Sequence, residues 1–99
     1  MSRVLVLEPD PDVRELFGRL LHHLGHQTVS DAGHDVEVVL LEPASKPARQ
    51  ILASVRLRRP NVRVVCTSVC ARRDVDDVAG DAFLQKPFSL AALRSTLGA

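Results

Sequence analysis

The sequence contains no tryptophan and no tyrosine, and its aromatic side chains are three phenylalanines. A core without large aromatic rings must be built mainly from Val and Leu, in keeping with the 45% of residues that are hydrophobic. A net charge of only +1 at this hydrophobicity argues against disorder, because disordered chains combine low hydrophobicity with high net charge. With 99 residues, the chain is predicted to form a single domain, residues 1–99.

Long hydrophobic runs are also missing. No stretch approaches the roughly 20 apolar residues that a membrane-spanning helix needs. Acids at Glu8 and Asp10 interrupt the first apolar segment, which is unlike a secretory signal peptide. We therefore expect a cytoplasmic protein without membrane contact. There are only two cysteines, Cys66 and Cys70, which are expected to be reduced thiols in that compartment and are too few to complete a zinc site.

Charge is unevenly distributed along the chain. Residues 1–50 carry five basic and eight acidic side chains, a balance of −3, and residues 51–99 carry eight and four, a balance of +4. The second half holds a group of arginines that could contact nucleic acid or form a solvated surface: Arg56, Arg58, Arg59, Arg63, Arg72 and Arg73. Because no aromatic side chains are interleaved for base stacking, a solvated surface is the favoured interpretation.

Apolar segments suited to buried strands alternate with segments of helical periodicity. The predicted strands are Val4–Leu7, Gln27–Ser30, Val38–Leu41, Val62–Thr67 and Ala82–Leu84. Helices are predicted between an Asp10 N-cap and Gly25, around Ala48–Val55, at Asp74–Ala79 and after a Ser89 N-cap. This alternation predicts an α/β fold, a doubly wound parallel sheet with covering helices.

One connection is too short for a regular version of that fold. Seven residues separate Ser30 from Val38, whereas a parallel crossover normally needs a dozen or more. Seven extended residues span at most about 25 Å, barely enough to step over a neighbouring strand. A helix is therefore excluded in this connection. The Gln27–Ser30 strand could then be frayed, displaced or missing.

Charged and hydroxyl side chains lie at the ends of the predicted strands. Glu8, Pro9 and Asp10 follow the first strand, Glu42 the third, Thr67 and Ser68 the end of the fourth, and Lys86 the last. Ligands of such sheets bind at the carboxyl ends of the strands. Carboxylates suit a hard divalent cation, whereas hydroxyl and ammonium groups suit phosphate oxygens.

These segments resemble the receiver domains of bacterial response regulators, the CheY-like family. VLVLEPDPDVRELFGRLLHHLG is similar to the family's opening, VVLLEP to the strand that ends in the phosphoaccepting aspartate, VVCTS to the strand with the switch hydroxyl, and GDAFLQKPF to the closing segment. The resemblance implies a flavodoxin-like sheet with strand order 2-1-3-4-5. The second helix of that fold would here be missing or reduced to a loop.

The resemblance also implies a role for each matching residue. Glu42 stands at the phosphoacceptor position and Thr67 at the switch-hydroxyl position. Phe83 stands at the position of the family's rotating aromatic residue, or is simply a core residue. Lys86 stands at the position of the conserved lysine, and the family's Lys–Pro peptide at this point, here Lys86–Pro87, is cis.

Two departures from the family fall in the predicted site. Glu8 keeps the first acidic position but Pro9 replaces the second, and Asp10 is either a displaced metal ligand or only a helix cap. Binding of Mg²⁺ by Glu8, Asp10 and Glu42 is therefore expected to be weak or absent, and no other cofactor is indicated. Glu42 also moves its carboxylate one methylene outward, which should slow or abolish in-line phosphotransfer. A resident charge there could instead imitate a phosphorylated aspartate.

These departures favour a signalling module that acts through protein–protein interaction, without enzymatic activity or conventional aspartyl phosphorylation. The resemblance places its contact surface around Phe83, Asp74–Ala79 and the last helix, a surface that could also form a homodimer. Two alternatives stay open. One is a phosphorylatable receiver of a two-component phosphorelay with Mg²⁺-dependent phosphotransfer. The other is a nucleic-acid contact protein that uses Arg56, Arg58, Arg59, Arg72 and Arg73.

Overall fold

The computed structural model describes residues 2–29, 35–68 and 80–97. Five parallel strands form one sheet in the order β2-β1-β3-β4-β5. They are β1 (Arg3–Leu7), β2 (Gln27–Val29), β3 (Val38–Leu41), β4 (Arg63–Ser68) and β5 (Ala82–Gln85). The helices in the described residues are α1 (Pro11–His23), α2 (Lys46–Arg58) and α3 (Leu90–Leu97). The predicted strand order is confirmed, and each predicted strand agrees with the structure to within one residue at either end.

The strand in doubt, β2, is present and paired. It runs parallel to β1 with Gln27 beside Arg3 and Val29 beside Leu5. No helix lies between β2 and β3 in the described residues, as the short connection predicts. Before β3 the chain is already held against the sheet, since the Glu37 N–H donates to the Arg3 carbonyl at 3.0 Å.

Several sequence predictions fall outside the described residues. These are the helix predicted at Asp74–Ala79, Cys70, Arg72 and Arg73.

Helices cover both faces of the sheet. One face packs against α1 and α3, and its cluster includes Val4, Phe17, Leu21, Leu40, Val65 and Leu93. The other face packs against α2, and its cluster includes Leu5, Val39, Leu52, Val55, Val64 and Cys66. All four residues of β3 are buried because the strand has neighbours on both faces, which explains its unbroken apolar sequence. Among the described helices, none is long and apolar enough to cross a membrane.

Local sequence signals fix most helix ends. The Asp10 side chain caps α1 and Ser89 caps α3, as predicted. Gly25 adopts a φ of +86° just beyond α1, a conformation that glycine reaches without steric cost. The start of α2 was not predicted. Ser45 is its N-cap, accepting a hydrogen bond from the Ala48 N–H at 3.2 Å.

Gly80 leads the chain into β5 at a close approach to β4. A Cβ at this position would lie 2.8 Å from the Cys66 Sγ, well inside van der Waals contact. The absence of a side chain at Gly80 therefore allows β5 to reach its place at the edge of the sheet.

Candidate functional site

Three charged side chains converge at the carboxyl ends of three strands. Glu8 follows β1, Glu42 follows β3 and Lys86 follows β5. The backbone continues the strand pairing for one more step, since the Glu42 N–H donates to the Leu7 carbonyl at 3.0 Å and the Lys86 N–H to the Ser68 carbonyl at 2.7 Å. The extended ladder brings the three side chains to one edge of the sheet, as the sequence predicted.

The Lys86 ammonium group binds both carboxylates. It contacts Glu8 Oε1 and lies 3.3 Å from Glu42 Oε1. The side chains of Glu8, Glu42 and Lys86 are only 4%, 13% and 14% exposed. We call these three residues the ion-pair cluster. Its contacts are charge-assisted hydrogen bonds in a poorly solvated site, where they are stronger than on an open surface.

The second oxygen of each carboxylate also has a partner. Glu8 Oε2 accepts the Asp10 N–H and Glu42 Oε2 accepts the Ala44 N–H, both at 3.2 Å. Each carboxylate is therefore held between a backbone donor and the same ammonium group. The cluster carries two negative charges and one positive charge, a formal sum of −1.

The ammonium group of Lys86 also lies over an aromatic ring. The Lys86 Nζ lies 5.7 Å from the centre of the Phe17 ring, within the range of a cation–π interaction. Phe17 in turn packs against Phe88, with ring centres 5.3 Å apart and planes tilted by 34°. The Lys86–Pro87 peptide is cis, as the resemblance implied.

Asp10 is used as a helix cap. It is exposed, and its Oδ1 accepts the N–H groups of Asp12 at 2.9 Å and Val13 at 3.3 Å. The neighbouring Pro9 offers no carboxylate. Among the described residues, no group of three or more His, Cys, Asp or Glu side chains is arranged to hold a metal ion.

The donors present do not match the needs of Mg²⁺. This ion takes six oxygen ligands in near-octahedral order. Here two carboxylates converge, and one oxygen of each already contacts an ammonium group. The weak or absent Mg²⁺ binding expected from the sequence stays a prediction.

Thr67 and Phe83 lie on the neighbouring strands β4 and β5. Thr67 is buried, and its hydroxyl makes a long hydrogen bond of 3.5 Å to the Leu41 carbonyl. Phe83 is partly buried and packs against the cluster of side chains under α2. Thr67 therefore lies near the carboxyl end of β4 with its hydroxyl directed at the backbone of β3, whereas Phe83 lies within β5, beside Cys66.

Two arginines that sequence reasoning missed hold the loops of the site. Arg14 Nη1 donates to the Glu8 carbonyl at 3.2 Å, and Arg49 Nη1 donates to the Pro43 carbonyl at 2.6 Å. Each arginine lies six residues after its acceptor, within the helix that follows the loop. That shared spacing is the signal in the sequence that could have identified them.

Two arginines of the second half make contacts within the chain. Arg59 forms an ion pair with Asp35 at 3.6 Å, and Arg63 donates to the Thr96 carbonyl. Nucleic-acid contact stays a prediction, which a steep salt dependence of DNA binding would support.

No protein-family model matches the sequence, and no curated protein matches it. Solved structures do match. The Vibrio cholerae chemotaxis protein CheY4 superposes with a TM-score of 0.79 at 16% identity, covering 99% of this chain and 97% of that chain. The Thermotoga maritima response regulator TrrA, solved in complex with Mg²⁺–BeF, gives 0.78 at 19% identity, with the same coverage of 99% and 97%.

A sensor protein from Polaromonas gives a TM-score of 0.79 at 20% identity, covering 98% of this chain and 93% of that chain. At these identities the likeness establishes the fold. The chain has the flavodoxin-like fold of CheY-like receiver domains, with fewer helices in its described residues.

Proposed function

We propose that this receiver-like domain is a signalling module that acts through protein–protein contact, without enzymatic activity and without conventional aspartyl phosphorylation. The observation that carries the proposal is the state of the acceptor position. Glu42 stands there in place of aspartate, and its two oxygens are held by Lys86 and by the Ala44 N–H. In-line attack needs a carboxylate oxygen in a closely defined position, and the extra methylene of Glu42 moves both oxygens away from where an aspartate would hold them.

The Mg²⁺ side of the chemistry gives a second argument. Phosphoryl transfer depends on metal ions to neutralise charge that develops on the transferred group. Pro9 removes one of the acids that the family uses, and Asp10 serves the helix N-terminus instead. The module is proposed to work in the cytoplasm as one domain. The charges of its ion-pair cluster are proposed to stay the same, since no phosphoryl group is added.

The resident charge of Glu42 is proposed to set the state of the domain. Its carboxylate reaches Lys86 at 3.3 Å, as expected of a group that imitates a phosphorylated aspartate. The Glu42→Asp variant shortens the side chain by one methylene and should weaken that contact. Identical partner binding and identical chemical shifts around Thr67 and Phe83 in variant and wild type would refute this part of the proposal.

The contact surface is proposed to lie around Phe83 and α3, continuing into residues 74–79. Pairing of two copies through this surface would give a homodimer. Sedimentation velocity over a range of protein concentrations tests the pairing. A Phe83→Ala variant that dimerises as well as the wild type would exclude this surface.

Amide NMR spectra test the absence of phosphorylation. Mg²⁺ and then beryllofluoride, a phosphoryl mimic, are added to the wild type and to a Pro9→Asp/Glu42→Asp variant, which restores the family's acids. We expect unchanged wild-type resonances at Glu42, Thr67 and Lys86, and shifts at the same sites in the variant. Saturable shifts at these residues in the wild type would overturn the proposal and favour the phosphorelay alternative.

A further inference from the structure

A cavity of about 510 Å³ opens beside the free side of β1. β2 pairs with β1 only as far as Leu5, so the last part of β1 has no strand on that side in the described residues. The cavity lies between α1 and α2, and we call it the side pocket. Most of its wall is apolar, contributed by Leu5, Leu7, Val29, Pro47, Ala48 and Ile51.

The side pocket lies beside the end of β2, where the short β2–β3 connection begins. A regular doubly wound fold places a crossover helix after each strand and so covers the sheet. Here no described residue between Val29 and Val38 is helical, and one flank of α2 lines the pocket. Ile51, on that flank, is 41% exposed although it is a large aliphatic residue.

A glycine in the opposite wall keeps the side pocket wide. Gly18 lies inside α1, where glycine is less favourable than alanine because it costs more backbone entropy. A Cβ at Gly18 would meet no atom within 4 Å, so close packing does not require the glycine. The missing side chain leaves space in the pocket at the expense of helix stability.

One end of the side pocket is positively charged. Arg14 is exposed and lines it, and Lys46 is exposed between the lining residues Ser45 and Pro47. The N-terminus of α2 points to the same end and has no acidic residue in its first turn. Glu8 also lines the pocket, where its carboxylate is buried and bound by Lys86, whereas the side chains of Arg14 and Lys46 are exposed. The apolar wall and the cationic end together favour a ligand with an apolar body and an anionic group.

We propose that the side pocket binds a small amphipathic anion, such as a medium-chain carboxylate. Its apolar body would lie on Leu5, Val29 and Ile51, and its anionic group would lie near Arg14 and Lys46. The volume falls within the roughly 300–1,000 Å³ of typical small-molecule sites. This inference goes beyond the proposed function, because it assigns the module an input and does not depend on its phosphorylation.

The test uses decanoate below its micelle concentration, with decanol as a neutral probe of equal chain length. Binding is followed by amide NMR of the full chain. We expect saturable shifts at Gly18, Val29 and Ile51, and binding at least about tenfold weaker for decanol, which lacks the charge-assisted contacts. Equal affinity for both probes would overturn the anionic part of the proposal.

Matched variants locate the binding. Gly18→Leu fills the side pocket and should weaken decanoate binding by at least about tenfold, whereas Gly18→Ala should stay within about twofold of the wild type. Ile51→Asp, at a partly exposed position that tolerates a polar residue, should also weaken binding about tenfold. No saturable decanoate binding, or binding unaffected by Gly18→Leu and Ile51→Asp, would overturn the proposal. Because no Mg²⁺ or phosphoryl mimic is used, the outcome is independent of the phosphorylation test.

Discussion

Replacing Lys86 by methionine removes the only positive charge of the ion-pair cluster while keeping a side chain of similar length. Both carboxylates would then be buried without a counter-charge, at exposures of 4% for Glu8 and 13% for Glu42. Removing one partner of a buried ion pair typically destabilises a protein by about 3–5 kcal/mol. Each carboxylate keeps one backbone donor, so we expect about 3 kcal/mol, near the low end of that range.

This loss is measured by urea unfolding at pH 7. Because the chain has no tryptophan, unfolding is followed by far-ultraviolet circular dichroism. Lys46→Met is the matched control, since Lys46 is the other lysine of the chain and is exposed at the start of α2. We expect it to change the free energy of unfolding by less than about 0.5 kcal/mol, as for most surface substitutions.

A double variant identifies the cause. Adding Glu8→Gln to Lys86→Met should recover part of the loss at pH 7, because a neutral amide replaces the most buried carboxylate. A loss below about 1 kcal/mol at pH 7, or one that Glu8→Gln does not reduce, would refute this account of the cluster.

Three further substitutions test the packing around the site by the same urea assay. Gly80→Ala should destabilise the protein by about 1–3 kcal/mol, because its Cβ would collide with Cys66 Sγ; an unchanged midpoint would contradict the close approach. Asp10→Ala should cost about 1 kcal/mol through loss of the α1 cap, and Asp10→Ser, which restores a capping oxygen, should recover most of it. Leu93→Ala should cost about 2–5 kcal/mol, since Leu93 is fully buried between α3 and the sheet; a loss below about 1 kcal/mol would show that this packing is loose.

Much of the fold could be predicted from the sequence because its signals are local. The Val38–Leu41 run identifies a strand buried on both faces, and Asp10 and Gly25 mark the two ends of α1. The order of the strands came from the resemblance to receiver domains and is confirmed. The pairing of β2 could not be settled from sequence. Three residues carry too little pattern to show whether a strand joins an edge, and the pairing depends on contacts with β1.

For the candidate site, the sequence predicts which residues come together but not how they contact one another. Because the carboxyl ends of parallel strands share an edge, the sequence alone brings Glu8, Glu42 and Lys86 together. The sequence does not show that the ammonium group bridges both carboxylates, since that depends on side-chain reach across β1, β3 and β5. The two possible roles of Asp10 also looked alike in sequence. The hydrogen bonds to the Asp12 and Val13 N–H groups identify the capping role.

The side pocket and the ion-pair cluster meet at a single residue. Glu8 lines the pocket, and its carboxylate binds the Lys86 ammonium group. Lys86 is in turn tied to the end of β4 by its N–H bond to the Ser68 carbonyl, next to Thr67. A ligand that displaces Glu8 by a fraction of an ångström would change the contact between its carboxylate and the Lys86 ammonium group. Through Lys86 the change would extend to the ends of β4 and β5.

The acceptor-position carboxylate of Glu42 is already bound by Lys86 and the Ala44 N–H. Ligand binding in the side pocket would therefore offer a way to alter the proposed contact surface without phosphorylation. This mechanism predicts that decanoate shifts the resonances of Lys86 and Thr67 in the wild type and leaves them unshifted in Gly18→Leu.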